Sequence, residues 1–326
     1  MKSTFMFYIL LILSTMITVS SNNWISMWIG LELNMMMFMP LILNKVNNSS
    51  SEAAMIYFLT QSVSSMLLLM MVLMNMFDLT TQEMNNLLIN ISILIKLGAA
   101  PFHSWMPKIM TKMEWKKCCI LMTWQKIAPL MMISNMNNNS NIINMSIITS
   151  IIIGSMGGIN QTSLRKMMGY SSINHLGWLL AINKFMNMWI IYMMIYTMMM
   201  IMMTFLFNKY KIFYINQMSS INMNNIEKMS FFMTMLSMGG LPPLIGFLPK
   251  WIAIQSLIYE NEITLIFIMI MFSLITLMYY LRVMTNMILS FNSSIKWTTN
   301  NYNKNSTMFI IIMNSMLPLI LIMDLL

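Results

Sequence analysis

Apolar runs of roughly 17 to 25 residues recur from one end of this sequence to the other, separated by short connections rich in Asn, Ser and Lys. With 58% hydrophobic residues, 8% charged residues and a mean hydropathy of +0.69, too little polar sequence remains to coat a water-soluble globule. The bilayer is therefore the expected solvent. The fold class this implies is an all-α polytopic membrane protein of about eleven transmembrane helices. Their approximate limits are 5–21, 24–43, 53–77, 86–107, 118–134, 142–159, 167–183, 186–207, 229–259, 263–288 and 306–323. No soluble domain fits between them, so residues 1–326 are expected to form one transmembrane domain.

Several function classes fall away on composition. The two cysteines, Cys118 and Cys119, are adjacent, a spacing unsuited to a disulfide framework. Fifty methionines follow no metal-ligand spacing and read as flexible apolar filler. A net charge of +9 invites a nucleic-acid reading, but the basic residues sit in short connections rather than in one patch, and nucleic-acid binding is not expected. The N-terminus offers only Lys2 ahead of Phe5, with no small-residue cleavage site and no Arg-rich import pattern, so the first run is expected to stay as a span. The connections Asn47 to Ser51 and Asn135 to Asn141 read as ordinary turn chemistry.

Charge placement orients the chain. With Lys96, Lys126 and Lys250 set inside spans, fourteen of the other Lys and Arg residues, from Lys2 and Lys45 to Lys296 and Lys304 and with Arg282 near the end of its span among them, fall on one side. The other side holds Lys184 alone, with Asp78, Glu83, Glu260, Glu262 and Asp324. The positive-inside rule then puts the N-terminus on the inner side and the C-terminus on the outer side.

A pattern G-x-x-P-x5-P-K occurs twice with identical spacing, at Gly98 to Lys108 and at Gly240 to Lys250. The copies fall in the fourth and ninth expected spans, five steps apart, so they would cross in opposite directions. That is the sign of an inverted-topology repeat, in which interrupted helices offer free backbone groups to a midplane ion site. The ninth run, Met229 to Tyr259, is also too long for one straight span, and a break at Gly239 to Pro243 would relieve it.

Against this background the charged residues inside spans stand out: Glu32, Lys96, Lys126 and Lys250. An ionisable side chain at membrane depth costs from about 3 to more than 10 kcal/mol, and so faces protein or water and marks a proton or ion path. Burial favours neutral lysine and a nearby carboxylate favours the charged form, so a Lys and Glu pair whose separation changes acts as a proton switch. Glu32 and Lys96 are candidates for such a pair, although a static ion pair would hold spans together equally well. Lys250 would alternatively snorkel to the interface. His175, between Asn174 and Gly177 in a polar-flecked span, is a candidate relay member. His103 and His175 lie on different spans without an axial-ligand pattern, which argues against haem.

These residues sit in a recognisable set of motifs. Gly30-Leu31-Glu32-Leu33-Asn34, Lys96 to Pro107 with Pro101-Phe102-His103, Trp124-Gln125-Lys126-Ile127-Ala128-Pro129, Asn160 to Lys166, Tyr170 to Trp178, Gly239 to Pro243 and Gly246 to Trp251 follow in order along the chain. Together they resemble the mitochondrial NADH-ubiquinone oxidoreductase chain 2 family of animals, of the insect type. The resemblance implies an antiporter-like core subunit in the membrane arm of respiratory complex I, a proton-translocating enzyme of the inner mitochondrial membrane, with the positive side facing the matrix. It implies that Glu32, Lys96, Lys126 and Lys250 form the proton-translocation chain. It also implies no redox centre here: NAD, FMN, iron–sulfur clusters and ubiquinone would be bound by partner subunits. The sequence has no Gly-x-Gly-x-x-Gly fingerprint and too few cysteines for a cluster. Expected partners are the other membrane-arm and accessory subunits and lipids, cardiolipin among them. Two alternatives share the fold: a free-standing cation/proton antiporter, and a structural subunit that does not pump.

Overall fold

The structure is a computed structural model that describes residues 2–43, 47–77, 81–136, 141–184, 188–220, 223–288 and 304–318. Lys45, Asp78, Lys296 and Asp324 of the charge count, the interior of the Asn135 to Asn141 connection and the end of the last expected span lie outside these residues. The described residues are organised as helices, with one isolated antiparallel bridge, Ser163 to Tyr214. Contacts divide the chain into two compact units, Met1–Ser150 and Ile151–Leu326.

The first unit contains α1 (Lys2–Ser20), α2 (Trp24–Ile42), α3 (Asn48–Met76), α4 (Gln82–Leu97), α5 (Trp105–Met110), α6 (Trp115–Met122) and α7 (Trp124–Ser134), and α8 (Asn141–Ile159) begins in it. The second holds the end of α8, then α9 (Leu164–Ile182), α10 (Met188–Tyr210), α11 (Gln217–Ser220), α12 (Asn225–Gly239), α13 (Phe247–Tyr259), α14 (Ile263–Ile288) and α15 (Lys304–Asn314). Among the described residues, five helices are long and apolar enough to cross a bilayer: α2, α3, α8, α10 and α14. Met66, Met194 and Phe267 are each about two-thirds exposed on such helices, a surface suited to hydrocarbon and not to water.

The connection read as a turn at Asn47 to Ser51 is instead the start of a helix. Asn47 is the N-cap of α3, and its N–H donates to Ser50 Oγ at 3.1 Å. Asn and Ser are turn formers for the same reason that they cap helices: their short polar side chains bond nearby backbone. Sequence composition does not separate the two uses.

Both G-x-x-P segments end a helix in the same way. Gly98 and Gly240 adopt positive φ, 69° and 80°, where a Cβ would be strained. In α4 the N–H of Gly98 donates to Ile95 O and that of Ala99 to Leu94 O; in α12 Gly240 donates to Leu236 O and Ser237 O, and Leu241 to Leu236 O. Each is a Schellman-type stop that uses up carbonyls a helix end would otherwise leave bare. A short turn segment follows in each case, and then α5 or α13 begins.

The expected span 118–134 is also interrupted, between α6 and α7 at Thr123 (φ −112°, ψ −72°). Thr123 Oγ1 donates to Cys119 O at 2.7 Å. In the second unit α9 is buried on every side from Ser171 to Ile182, and its Ser171 and Ser172 hydroxyls bond back to Met168 O and Gly169 O. That back-bonding lets a polar-flecked helix sit in a dry interior.

Candidate functional site

In the first unit the breaks bring charged and polar side chains to one place. Lys96 lies in the last turn of α4, just before the Gly98 stop, and Lys126 in the first turn of α7, just after the Thr123 interruption. The two lysines are 5% and 2% exposed, and both line one cavity of about 20 Å³ with Asn34, Tyr57, Gln61 and Gln125. That is about the space one water requires.

The polar lining is connected. Tyr57 OH donates to Gln125 Oε1 at 3.2 Å, and Gln125 Nε2 donates to Asn34 Oδ1 at 3.0 Å. Gln61 Nε2 donates at 3.2 Å to the Lys96 carbonyl, which the end of α4 leaves available. The tyrosine ring is wedged edge-on between Phe38 at 5.2 Å and Trp105 at 6.2 Å, and Trp105 Nε1 donates to Ile95 O. Residues from α2, α3, α4 and α7 thus converge on the space between the two amines.

Glu32 stands on α2 beside this cavity, half-buried, and its charge acts on Lys96 and on Tyr57. No ion pair within 4 Å joins Glu32 to Lys96 among the described contacts. The pair is near enough to couple and is not locked.

In the second unit Lys250 is 5% exposed, so the snorkelling alternative does not describe it. Its Nζ donates at 2.7 Å to Gly239 O, the last carbonyl of α12, and stands 5.8 Å from the centre of the Trp178 ring. The ammonium therefore closes the broken helix at its negative end and rests on an aromatic face. His175 lies one turn from Trp178 on α9; its Nδ1 is 2.8 Å from Tyr192 OH, and its ring is 4.9 Å from that of Tyr196. In the first unit His103 sits in the α4–α5 break with Nδ1 3.2 Å from Pro101 O.

Two charged residues escaped the reading of the sequence. Lys117, one of the fourteen basic residues that the charge pattern sets on the positive side, is 6% exposed and donates to Ile42 O at the end of α2 at 3.2 Å. Glu227 is 3% exposed and accepts from Lys209 Nζ at 2.9 Å. Both fall at helix ends next to polar connections, where hydropathy does not reveal burial. Among the described residues, no group of three His, Cys, Asp or Glu side chains is placed to hold a metal ion.

An all-helical membrane fold with lysines at helix breaks defines a class, and comparison with known proteins agrees: residues 21–276 match the membrane-spanning family described as NADH:quinone oxidoreductase/Mrp antiporter. The chain belongs to this family. It is 43% identical over 317 residues to NADH-ubiquinone oxidoreductase chain 2 of Anopheles gambiae, covering 94% of this chain and 93% of that one. To the chain of the same name from Aedes aegypti it is 44% identical over 319 residues, again 94% and 93%. In fold it resembles a chain in the structure of respiratory complex I from Thermus thermophilus with bound aureothin, with a TM-score of 0.82 over 95% of this chain and 75% of that one at 17% identity.

Proposed function

We propose that this chain is the chain 2 subunit of the proton-pumping NADH:ubiquinone oxidoreductase, complex I, and that it supplies one proton-translocation channel of the membrane arm. The relatives' shared name and the family match support the assignment. The observation that carries the channel is the single cavity lined by Lys96 and Lys126 and bridged by Asn34, Gln125 and Tyr57. In this reading the chain sits in the mitochondrial inner membrane with the N-terminus in the matrix and the C-terminus in the intermembrane space. It crosses about eleven times as one antiporter-like domain. The matching Schellman stops at Gly98 and Gly240 support the inverted repeat. Its partners are the other membrane-arm and accessory subunits and bilayer lipids. NAD, FMN, iron–sulfur clusters and ubiquinone belong to partner chains.

The mechanism follows from the geometry. Glu32 is coupled to Lys96 but not bonded to it, so a small change in their separation alters how firmly Lys96 holds its proton. A proton released from Lys96 enters the cavity, which has room for one water and which the linked Tyr57, Gln125 and Asn34 line together with Lys126. Lys250 is the terminal group of the proposed chain and His175 a relay member beside it. Electron transfer in partner subunits drives the cycle, each exported proton requiring about 2.3 kcal/mol per 100 mV.

The assignment is tested by a mild-detergent native gel of the source mitochondria stained for NADH dehydrogenase activity, with mass spectrometry of the active band. Peptides of this chain are expected in a large NADH-oxidising band. Their presence only in a small inactive band would favour a free-standing antiporter. The cavity is tested separately: Gln125→Leu breaks both bridging bonds while filling a similar volume, and should lower proton yield per NADH in a complex that still assembles. A normal yield would exclude the bridge from the path.

A further inference from the structure

The half-helix α12 has a polar face that the lysine chain does not use. Its hydroxyl residues Ser230, Thr234 and Ser237 and its one carboxylate, Glu227, are spaced three, four and three apart. At 3.6 residues per turn they fall within an arc of about 80°. All four are almost completely buried, at 3%, 0%, 1% and 0% exposure in chain order from Glu227, while Met229 on another face is 55% exposed. A helix passing through hydrocarbon has no need of three hydroxyls on one line, and two charged groups mark its ends.

At the lower end, Glu227 accepts from Lys209 Nζ at 2.9 Å and from the Asn224 N–H at 3.2 Å. Lys209 is itself partly exposed, so the pair connects the buried face to the surface. At the upper end α12 closes at Gly239, two residues past Ser237, and the Gly239 carbonyl accepts from Lys250 Nζ at 2.7 Å. About 18 Å of helix separates Glu227 from Gly239. Each hydroxyl donates to a carbonyl one turn back, Ser230 to Glu227 O, Thr234 to Ser230 O and Phe231 O, and Ser237 to Thr234 O, which leaves oxygen lone pairs to accept.

We propose that this face, from Glu227 through Ser230, Thr234 and Ser237, is a second proton-uptake branch that loads Lys250 directly from the positive, matrix side. The inference rests on the pumping function proposed above. Hydroxyls three or four residues apart on a helix are about 5–6 Å apart, a gap that one water spans. A proton arriving from water adds to a hydroxyl lone pair as that hydroxyl gives its own proton to the next water. At the end one proton has left the matrix side and Lys250 has gained it, while Glu227 and each hydroxyl have passed on as many protons as they took and are unchanged. Glu227, Ser230, Thr234 and Ser237 are then relay groups, and Lys209 a positioning residue that holds the carboxylate at the mouth.

The test compares variants within the assembled complex by proton yield per NADH, with assembly read on a native gel. Glu227→Gln keeps the oxygen that accepts the cap bonds and loses the titratable acid; Thr234→Val keeps shape and loses the hydroxyl; Thr234→Ser restores it. Glu227→Gln and Thr234→Val are expected to lose part of the proton yield that Lys250→Met loses, since Lys250 serves both routes, with Thr234→Ser close to the unmodified complex. Normal pumping in Glu227→Gln and Thr234→Val, set against a deficit in Lys250→Met, would overturn the branch and leave the pumping function standing. A deficit in Thr234→Ser equal to that in Thr234→Val would assign the hydroxyl to packing and also overturn it. Normal pumping in Lys250→Met would remove the function on which the branch rests.

Discussion

A complex carrying Lys126→Met in this chain is expected to assemble and oxidise NADH but to lose the exported protons that pass through Lys96 and Lys126. Methionine is close to lysine in length and flexible, so it fills the space of a side chain that is 2% exposed without opening a void. Methionine also carries no charge that has to be held away from water, so the replacement keeps the packing and removes the amine. The loss therefore falls on proton transfer: the cavity would retain Lys96 and lose its second amine. Lys126→Ala would be a poorer test, because truncating a large buried side chain costs about 2–5 kcal/mol and would mix misfolding with lost transfer. Proton uptake and NADH oxidation measured together in sealed vesicles give the yield directly. An unchanged yield in a fully assembled Lys126→Met complex would remove Lys126 from the path.

Much of this arrangement is legible in residue order, and the limits have physical causes. Gly98 and Gly240 announce their breaks because a glycine followed two or three residues later by proline has few other uses in an apolar run, and both adopt the positive φ that suits glycine. The interruption at Thr123 has no such marker: Trp124 and Cys119 favour continuing the span, and the local turn depends on a hydroxyl-to-carbonyl bond that any membrane threonine can form. Lys96, Lys126 and Lys250 were visible because a charge in a long apolar run has no ordinary explanation. Asn34, Tyr57 and Gln125 were not, since polar neutral residues are common in membrane helices and only their convergence gives them a role. Glu32 shows a different limit. Its closeness to Lys96 is a matter of which helices pack together, and whether the two are bonded or merely coupled depends on ångströms that residue spacing does not encode.

Gly246→Ala is expected to prevent the chain from accumulating in assembled complex, a larger effect than that of alanine at the more conspicuous Gly240. The backbone at Gly246 is ordinary, φ −67° and ψ −12°, so alanine has no conformational objection to it. The obstacle is space: a Cβ there would stand 1.7 Å from the Ser237 carbonyl oxygen and 2.5 Å from its carbon. Those atoms are backbone of α12 and cannot rotate away. The turn segment after the break would have to lift from the helix, pulling Ile245 N from its bond to Asn314 O. Overpacking costs about 1–3 kcal/mol where side chains can yield, and a rigid neighbour places this substitution at or beyond the upper end. Gly240→Ala differs in both respects. Its φ of 80° strains any L side chain by about 1–2 kcal/mol, but its Cβ would meet the flexible end of Lys250, 2.6 Å from Nζ. That variant should assemble in reduced amount and pump poorly, with the amine displaced from Gly239 O. Native-gel abundance separates the two, and normal abundance of Gly246→Ala would mean that the break segment does not lie against α12 as described.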